Sequence, residues 1–183
     1  MIVDEGQNVE YAVPPDQRSE TIEVRKNAHV RVRIDGKRIL SLSAVLSGEN
    51  ALLEIAGVFA GTKQDEQNIL LNVVQDAPRT SCTVRFRSVL DHASISRVDG
   101  LIRMTERAID AHAKFSYRGM LLSPQGRCLP TPRLEVLTKQ VASASHEAAV
   151  GVIDAGQMFY LQSRGIPEQE ARQLITKGFL DAI

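Results

Sequence analysis

From position 22 to position 34 the chain alternates apolar and polar residues. Ile22, Val24, Ala28, Val30, Val32 and Ile34 hold the even positions, and Glu23, Arg25, Asn27, His29, Arg31 and Arg33 hold the odd ones. A period of two puts one set on a buried face and the other in water, which is the pattern of a strand. Lys26 interrupts the run, and the run is long for one strand, so Lys26-Asn27 reads as a corner between two strands. Asp35-Gly36 marks a turn, after which Leu40, Leu42, Ala44 and Leu46 resume the alternation until Ser47-Gly48-Glu49-Asn50 closes it. Further strands are expected at 52–59, 69–74, 82–90, Ile95–Met104 and 134–141. Turn signals accompany them at 61–65, Asp76-Ala77-Pro78, Asp99-Gly100 and Ser123-Pro124-Gln125-Gly126. Residues 1–20 read as a loose lead-in with one short strand near 9–13.

At Asp154 the pattern changes to a helical one. Asp154 followed by Gln157 resembles a capping box, Ala155–Ser163 suits a short helix, and Gly165 suits its C-terminal stop. Pro167 fits the first position of a second helix, with Glu168 and Glu170 at its positive end. Ala171, Leu174, Ile175 and Phe179 form an apolar stripe, and Lys177 is expected in the last turn. The chain divides into a β body, residues 1–153, and a helical pair, residues 154–183. Many short strands with no helices between them specify a sandwich, a barrel or a solenoid. No fixed repeat length emerges on counting, so the solenoid has little signal of its own.

Composition agrees with an aliphatic β core. Aromatic residues make up 4% of the 183 residues and tryptophan is absent, so the interior must be built from small and branched side chains. Lys+Arg and Asp+Glu are 22 each, and this zero balance argues against a nucleic-acid binder. The strongest local excess, eight basic against four acidic residues from Arg79 to Arg118, is scattered singly and reads as a solvated strand face. No apolar run is long enough for a membrane span, and the acidic start lacks an apolar leader. The expected setting is the cytoplasm.

Chemical motifs are sparse. Cys82 and Cys128 form neither a disulfide framework nor a metal knuckle. His29, His92, His112 and His146 lack two-ligand spacings, with His29 on a polar strand face and His92 at a turn. No phosphate-binding glycine loop and no nucleophile elbow are present. His146-Glu147 is a neighbouring base and acid, and on a strand such neighbours face opposite ways.

The segment around that pair carries a resemblance. Ser145-His146-Glu147-Ala148-Ala149-Val150-Gly151 leads to Phe159-Tyr160-Leu161-Gln162-Ser163-Arg164-Gly165-Ile166, then to Ala171 and Gly178-Phe179. This is similar to the C-terminal signature of the SufB/SufD family of iron–sulfur cluster assembly proteins. There a His-Glu-Ala or His-Gly-Ala box precedes Phe-Tyr-Leu/Cys-x-x-Arg-Gly-Ile, an Ala and a Gly-Phe. Gly57-Val58-Phe59, Asp99-Gly100-Leu101-Ile102 and Met120-Leu121-Leu122-Ser123 extend the likeness upstream.

The resemblance implies a right-handed parallel β-helix with a small C-terminal helical subdomain, an all-β fold in the main. It implies a non-enzymatic scaffold that binds a SufC-like ABC-type ATPase through its helices, with Phe159, Tyr160, Arg164, Gly165 and Phe179 as the pattern's residues there. It implies a homodimer or heterodimer through the β-helix, and a transient iron–sulfur cluster at Cys128, His146 and Glu147. Arg127 is expected to favour the Cys128 thiolate, and His146 is expected to end a strand and face a second copy. The helices, too short to stand alone, are expected to dock on the body through one face.

The chain also departs from the pattern. The family's long N-terminal helical region has no counterpart in these residues. A cysteine of SufB-type members falls near Gly119, Cys128 falls near a second family cysteine, and a mid-strand histidine falls at Gln75. Two rival readings stand beside the scaffold. One is a small solenoid or barrel enzyme using His146, Glu147 and Cys128, and the other is a family member that only holds the ATPase.

Overall fold

The computed structural model describes residues 1–36 and 38–183. Within them the chain forms β1 (Ile2–Val3), β2 (Asn8–Ala12), β3 (Ser19–Val24), β4 (His29–Asp35), β5 (Ile39–Leu46) and β6 (Leu52–Gly61). There follow β7 (Glu66–Gln75), β8 (Ser81–Leu90), β9 (Ile95–Met104), β10 (Ala111–Leu121), β11 (Arg127–Val136) and β12 (Val141–Val152). Helices α1 (Ala155–Ser163) and α2 (Glu168–Asp181) complete the chain. The odd strands make one six-stranded sheet and the even strands another. Every pairing is parallel and joins strands one coil apart, for example β7 with β9 and β8 with β10. The chain therefore winds as a parallel β-helix, each coil laying one strand in each sheet.

Register explains why no repeat length is visible. Ile2 pairs with Glu23, 21 residues on; Ser19 with Ser41, 22 on; Ile39 with Asn68, 29 on; and Ile95 with Arg127, 32 on. The coil widens along the chain, and a search for a constant period averages it away. What does repeat is the corner leading from the odd sheet to the even one. Gly6, Asn27, Asn50, Arg79 and Asp110 all have φ between 54° and 73° there. Each amide at this corner bonds the coil above, as in Asn27 N–H to Glu49 O at 2.9 Å and Asp110 N–H to Gln140 O at 2.9 Å. Asn50 donates to the Asn27 side chain at 2.9 Å and Arg79 donates to Asn50 at 3.1 Å, a stacked ladder on the outside of the corner. Lys26-Asn27 is thus a corner, as its break in the alternation suggests.

Inward side chains stack in columns, because parallel register puts like faces over one another. Ile22, Ala44, Val73 and Ile102 form one such column in the odd sheet; Val32, Ile55, Val84 and Phe115 form one in the even sheet, all buried. Two of the rings fit because a glycine makes room, Gly100 on the facing sheet for Phe115 and Gly57 on the neighbouring strand for Phe86. A Cβ on Gly100 would lie 2.0 Å from the Phe115 ring, and one on Gly57 would lie 2.1 Å from the Phe86 ring.

Several expected elements move. Asp99-Gly100 is no turn but the middle of β9, its glycine making room for Phe115. The expected strand at 134–141 is the end of β11, a loop and the first residue of β12. The first twenty residues hold two strands and the start of a third rather than one.

The last coil is open. Every residue of β12 is exposed, and Leu129, Val136, Leu137, Val141, Val150 and Val152 are exposed apolar side chains at this end. Pro130 and Pro132 lie in β11, where a missing N–H is tolerated because the strand is an edge. Strand β12 holds no proline, so its free edge keeps its full set of donors.

The helices match their capping signals. The Asp154 side chain accepts from Gln157 N–H at 2.8 Å, and Gly165 follows α1 at φ 85°. Pro167 is the N-cap of α2 rather than its first helical residue, and Lys177 lies short of the last turn. No described helix is long and apolar enough to cross a membrane.

Candidate functional site

The expected site residues fall on the last two coils. Cys128 is the second residue of β11 and continues an inward column of the odd sheet below Gln67 and Ser96. It faces Gly119 of β10 across the interior: a Cβ on Gly119 would lie 2.4 Å from the Cys128 Sγ. The thiol therefore occupies the space that a side chain at 119 would fill. One coil up, the same two columns meet as Ser88 Oγ and Ser96 Oγ at 3.0 Å, both fully buried. Ser96 donates to Gln67 Oε1 at 3.2 Å, and Gln67 donates to Gly36 O at 3.1 Å. A polar seam thus crosses the core and ends at Cys128. The Tyr117 hydroxyl is buried beside it with no hydrogen bond of good geometry.

Burial pushes the Cys128 thiol up from its ordinary range, and the Tyr117 hydroxyl works against that shift. Arg127, expected to favour the thiolate, is not among the groups that shift it. Arg127 is the neighbouring residue on a strand, so it is exposed on the opposite face. Burial, and after it the Cys128 thiol, pushes the Tyr117 phenol up. Cys82 is fully buried and pushed up to about 12 by burial alone. Both cysteines are free.

His146 does not end a strand; it lies in the middle of β12. It pairs with Phe115 and so continues an inward column into the open last coil, where it is exposed. Glu147 faces the other way. It accepts from Ser116 Oγ at 2.9 Å and lies 3.8 Å from Arg118 on the outer face of the even sheet. The register also separates His146 from the thiol. Val150 pairs with Gly119, the level of Cys128, and four residues of strand at ~3.3 Å each put His146 about 13 Å away along β12. Among the described residues no group of three His, Cys, Asp or Glu side chains is placed to hold a metal ion. Gln75 is fully buried and donates to Thr80 Oγ1 and His112 O, both at 3.0 Å, tying the end of β7 to the coil below.

The helical residues divide into two groups. Phe159 and Tyr160 are 73% and 57% exposed, and the Arg164 guanidinium lies 5.3 Å from the Tyr160 ring centre. Phe179 instead faces the body. Arg87 of β8 donates to Phe179 O at 2.6 Å and lies 5.1 Å from the centre of its ring. Arg87, to which the sequence did not point, thus ties α2 to β8, while no α1 residue is buried.

Comparison with known proteins agrees with the architecture. The model of the SUF-system FeS cluster assembly SufBD core domain matches residues 18–179. An iron–sulfur cluster assembly SufBD family protein of Staphylococcus aureus (strain USA300) is 29% identical over 139 residues, which are 76% of this chain and 30% of that protein. The iron–sulfur cluster assembly protein SufD of Bacillus subtilis (strain 168) is 27% identical over 146 residues, 80% of this chain and 33% of that protein. The chain spans about a third of the length of these curated relatives.

Proposed function

Because the chain belongs to the SufBD core-domain family of the SUF iron–sulfur cluster assembly system, we propose that it is a non-catalytic cytoplasmic scaffold subunit whose second copy completes the site. The observation that carries this reading is the seat of Cys128: a thiol at the open end of a β-helix, in the space beside Gly119 where SufB-type members are expected to carry a cysteine. A nascent cluster is cargo here and needs thiolate ligands, which imidazole can supplement. One copy offers a single thiol near that end, with His146 about 13 Å along β12.

A second copy removes the gap. Edge strand β12 keeps its donors, whereas β11 has lost two to proline, so β12 is the edge suited to pairing. Two β12 edges paired antiparallel about Ala148 would lay His146 of one copy opposite Val150 of the other, the level of Cys128. The exposed aliphatics of the last coil would be covered in the same step. The helical pair, with Phe159, Tyr160 and the Arg164 stack outward, serves as the docking element for an ABC-type ATPase. A heterodimer with a paralogue would use the same edge.

The test combines cross-linking with loading. Ala148→Cys is expected to give an intermolecular disulfide on mild oxidation, whereas Ala144→Cys is not. Anaerobic reconstitution with iron and sulfide is expected to give a cluster absorption that Cys128→Ala and His146→Ala each lose, while co-purification with an ABC-type ATPase survives both. Loading unaffected by both substitutions would overturn the site, and retention of the ATPase by Phe159→Ala/Tyr160→Ala would overturn the docking role.

A further inference from the structure

The outer face of the even sheet carries a cationic groove that the assembly reading does not use. Arg85 and Arg87 alternate along β8, and Lys114, Ser116 and Arg118 alternate along β10 beside them. Register places Arg87 directly against Arg118 and Arg85 against Ser116, so neighbouring strands ~4.8 Å apart bring like charges together. Such pairs destabilise a sheet unless something offsets them. Burial, and after it the Arg118 charge, pulls the Arg87 guanidinium below its ordinary range.

Four exposed arginines elsewhere on the sheets have carboxylate partners, although Arg127 of β11 has none among the described residues. Arg31 meets Glu54 at 2.7 Å, Arg33 meets Asp35 at 2.7 Å, Arg103 meets Glu135 at 2.6 Å, and Arg133 meets Asp99 at 2.6 Å. Among the described residues Arg85 and Lys114 form no such pair. Glu147, the one carboxylate among the lining side chains, is already engaged by Ser116 and Arg118. Ala182 and Ile183, beyond the end of α2, close one wall, leaving a cavity of about 410 Å³ lined by four basic side chains. That volume falls in the range of small-molecule sites.

We propose that this groove, framed by Arg85, Lys114, Ser116 and Arg118, is a binding site for a small phosphate-bearing anion. Among the lining side chains four cations face one carboxylate, an excess that suits a multiply charged anion such as diphosphate rather than a single monoanion. The Ser116 hydroxyl sits among them with its proton donated to Glu147. Arg87 lines the same cavity and also clasps Phe179, so an occupant that draws Arg87 toward itself weakens the hold on α2. Binding at the groove and the position of the helical pair are linked through that one guanidinium.

The test titrates inorganic diphosphate into the full chain at low salt, by calorimetry and by thermal unfolding, against potassium chloride of equal ionic strength. Wild type is expected to bind diphosphate and to melt higher in its presence. Arg85→Gln/Lys114→Gln is expected to weaken binding at least tenfold. Its melting temperature without ligand is expected to be unchanged or higher, since the substitutions remove like-charge repulsion and no ion pair. Arg97→Gln/Arg133→Gln, on the other sheet, is expected to bind as wild type does. A Gly-Ser extension after Ile183 provides a second background in which any carboxylate at that residue is moved off the wall. Adenosine diphosphate distinguishes the sources: tighter binding than diphosphate assigns a nucleotide, and equal binding assigns the free anion. A response matched by chloride, equal binding by the Arg85/Lys114 variant, or binding of polyglutamate but not diphosphate would each overturn the proposal.

Discussion

Replacing Gly119 by alanine tests whether the Cys128 thiol sits where the fold puts it. The new Cβ would meet Sγ at 2.4 Å and also the Cys128 Cβ and a Tyr117 ring carbon, each at 3.2 Å. The sulfur must move by about 1 Å to reach van der Waals contact. Gly119 is buried inside a strand, so the cost is one of overpacking, about 1–3 kcal/mol. Alanine loses less backbone freedom than glycine on folding, which returns about 0.5–1 kcal/mol. The net loss is about 0–2.5 kcal/mol, or a melting temperature lower by up to roughly 10 °C for a chain of this size. In a Cys128→Ala background the sulfur is gone and only the 3.2 Å neighbours remain, so the same substitution becomes neutral or stabilising. Thermal unfolding of the four proteins under reducing conditions therefore gives a coupling of about 1–3 kcal/mol. Iodoacetamide should also modify Cys128 faster in Gly119→Ala, because the displaced thiol moves toward the open end. Effects that add within about 0.5 kcal/mol would refute the facing of the two columns, and with it the seat on which the cluster reading rests.

Two further outcomes follow from packing and titration. Gly100→Ala, its Cβ 2.0 Å from the Phe115 ring, should lower stability by about 2–3 kcal/mol in chemical denaturation, and Phe115→Leu in the same chain should restore part of that. Cys82 has a folded pKa raised to about 12, above its value in the unfolded chain, so its stabilising contribution is complete below pH ~9 and is lost as pH rises from there toward the folded value. The slope over that window is about 1.4 kcal/mol per pH unit, and Cys82→Ala should flatten the alkaline limb of a stability-pH profile by that amount.

Strands were legible wherever the inward residues are branched aliphatics and the outward ones charged, as in β4 and β5. They were illegible where function or geometry thins that contrast. Strand β10 buries Ala111, Ala113 and Gly119 alongside two rings, β11 carries two prolines, and β12 is made largely of Ala, Ser and Gly with both faces wet. Asp99-Gly100 has the composition of a turn but lies mid-strand, because the glycine is required by a ring on the facing sheet rather than by the backbone. The solenoid itself was hidden by its widening coil; the positive-φ corner residues keep the count, but they are Gly, Asn, Arg and Asp in turn. Motif resemblance, not periodicity, pointed to the architecture.

The arrangement of the expected site residues was not legible in the sequence, and the reason lies in how a β-helix addresses its residues. Neighbours in space are set by register and by facing columns, which sequence spacing does not reveal until the coil length is known. Cys128 and Gly119 meet across the core because a turn folds β11 back over β10, whereas His146 and Glu147, adjacent in sequence, point to opposite sides of one strand. The pair therefore splits between two surfaces. His146 stands at the open interior, where an antiparallel second copy would bring it level with a thiol, and Glu147 stands among the arginines of the outer groove. A substitution at one should leave the other's surface intact. Glu147→Gln removes the one carboxylate among the groove's lining side chains, and so should tighten diphosphate binding without touching the Cys128 seat. The His-Glu box is then two adjacent positions on opposite faces of an edge strand, as the alternation of a strand dictates for neighbours.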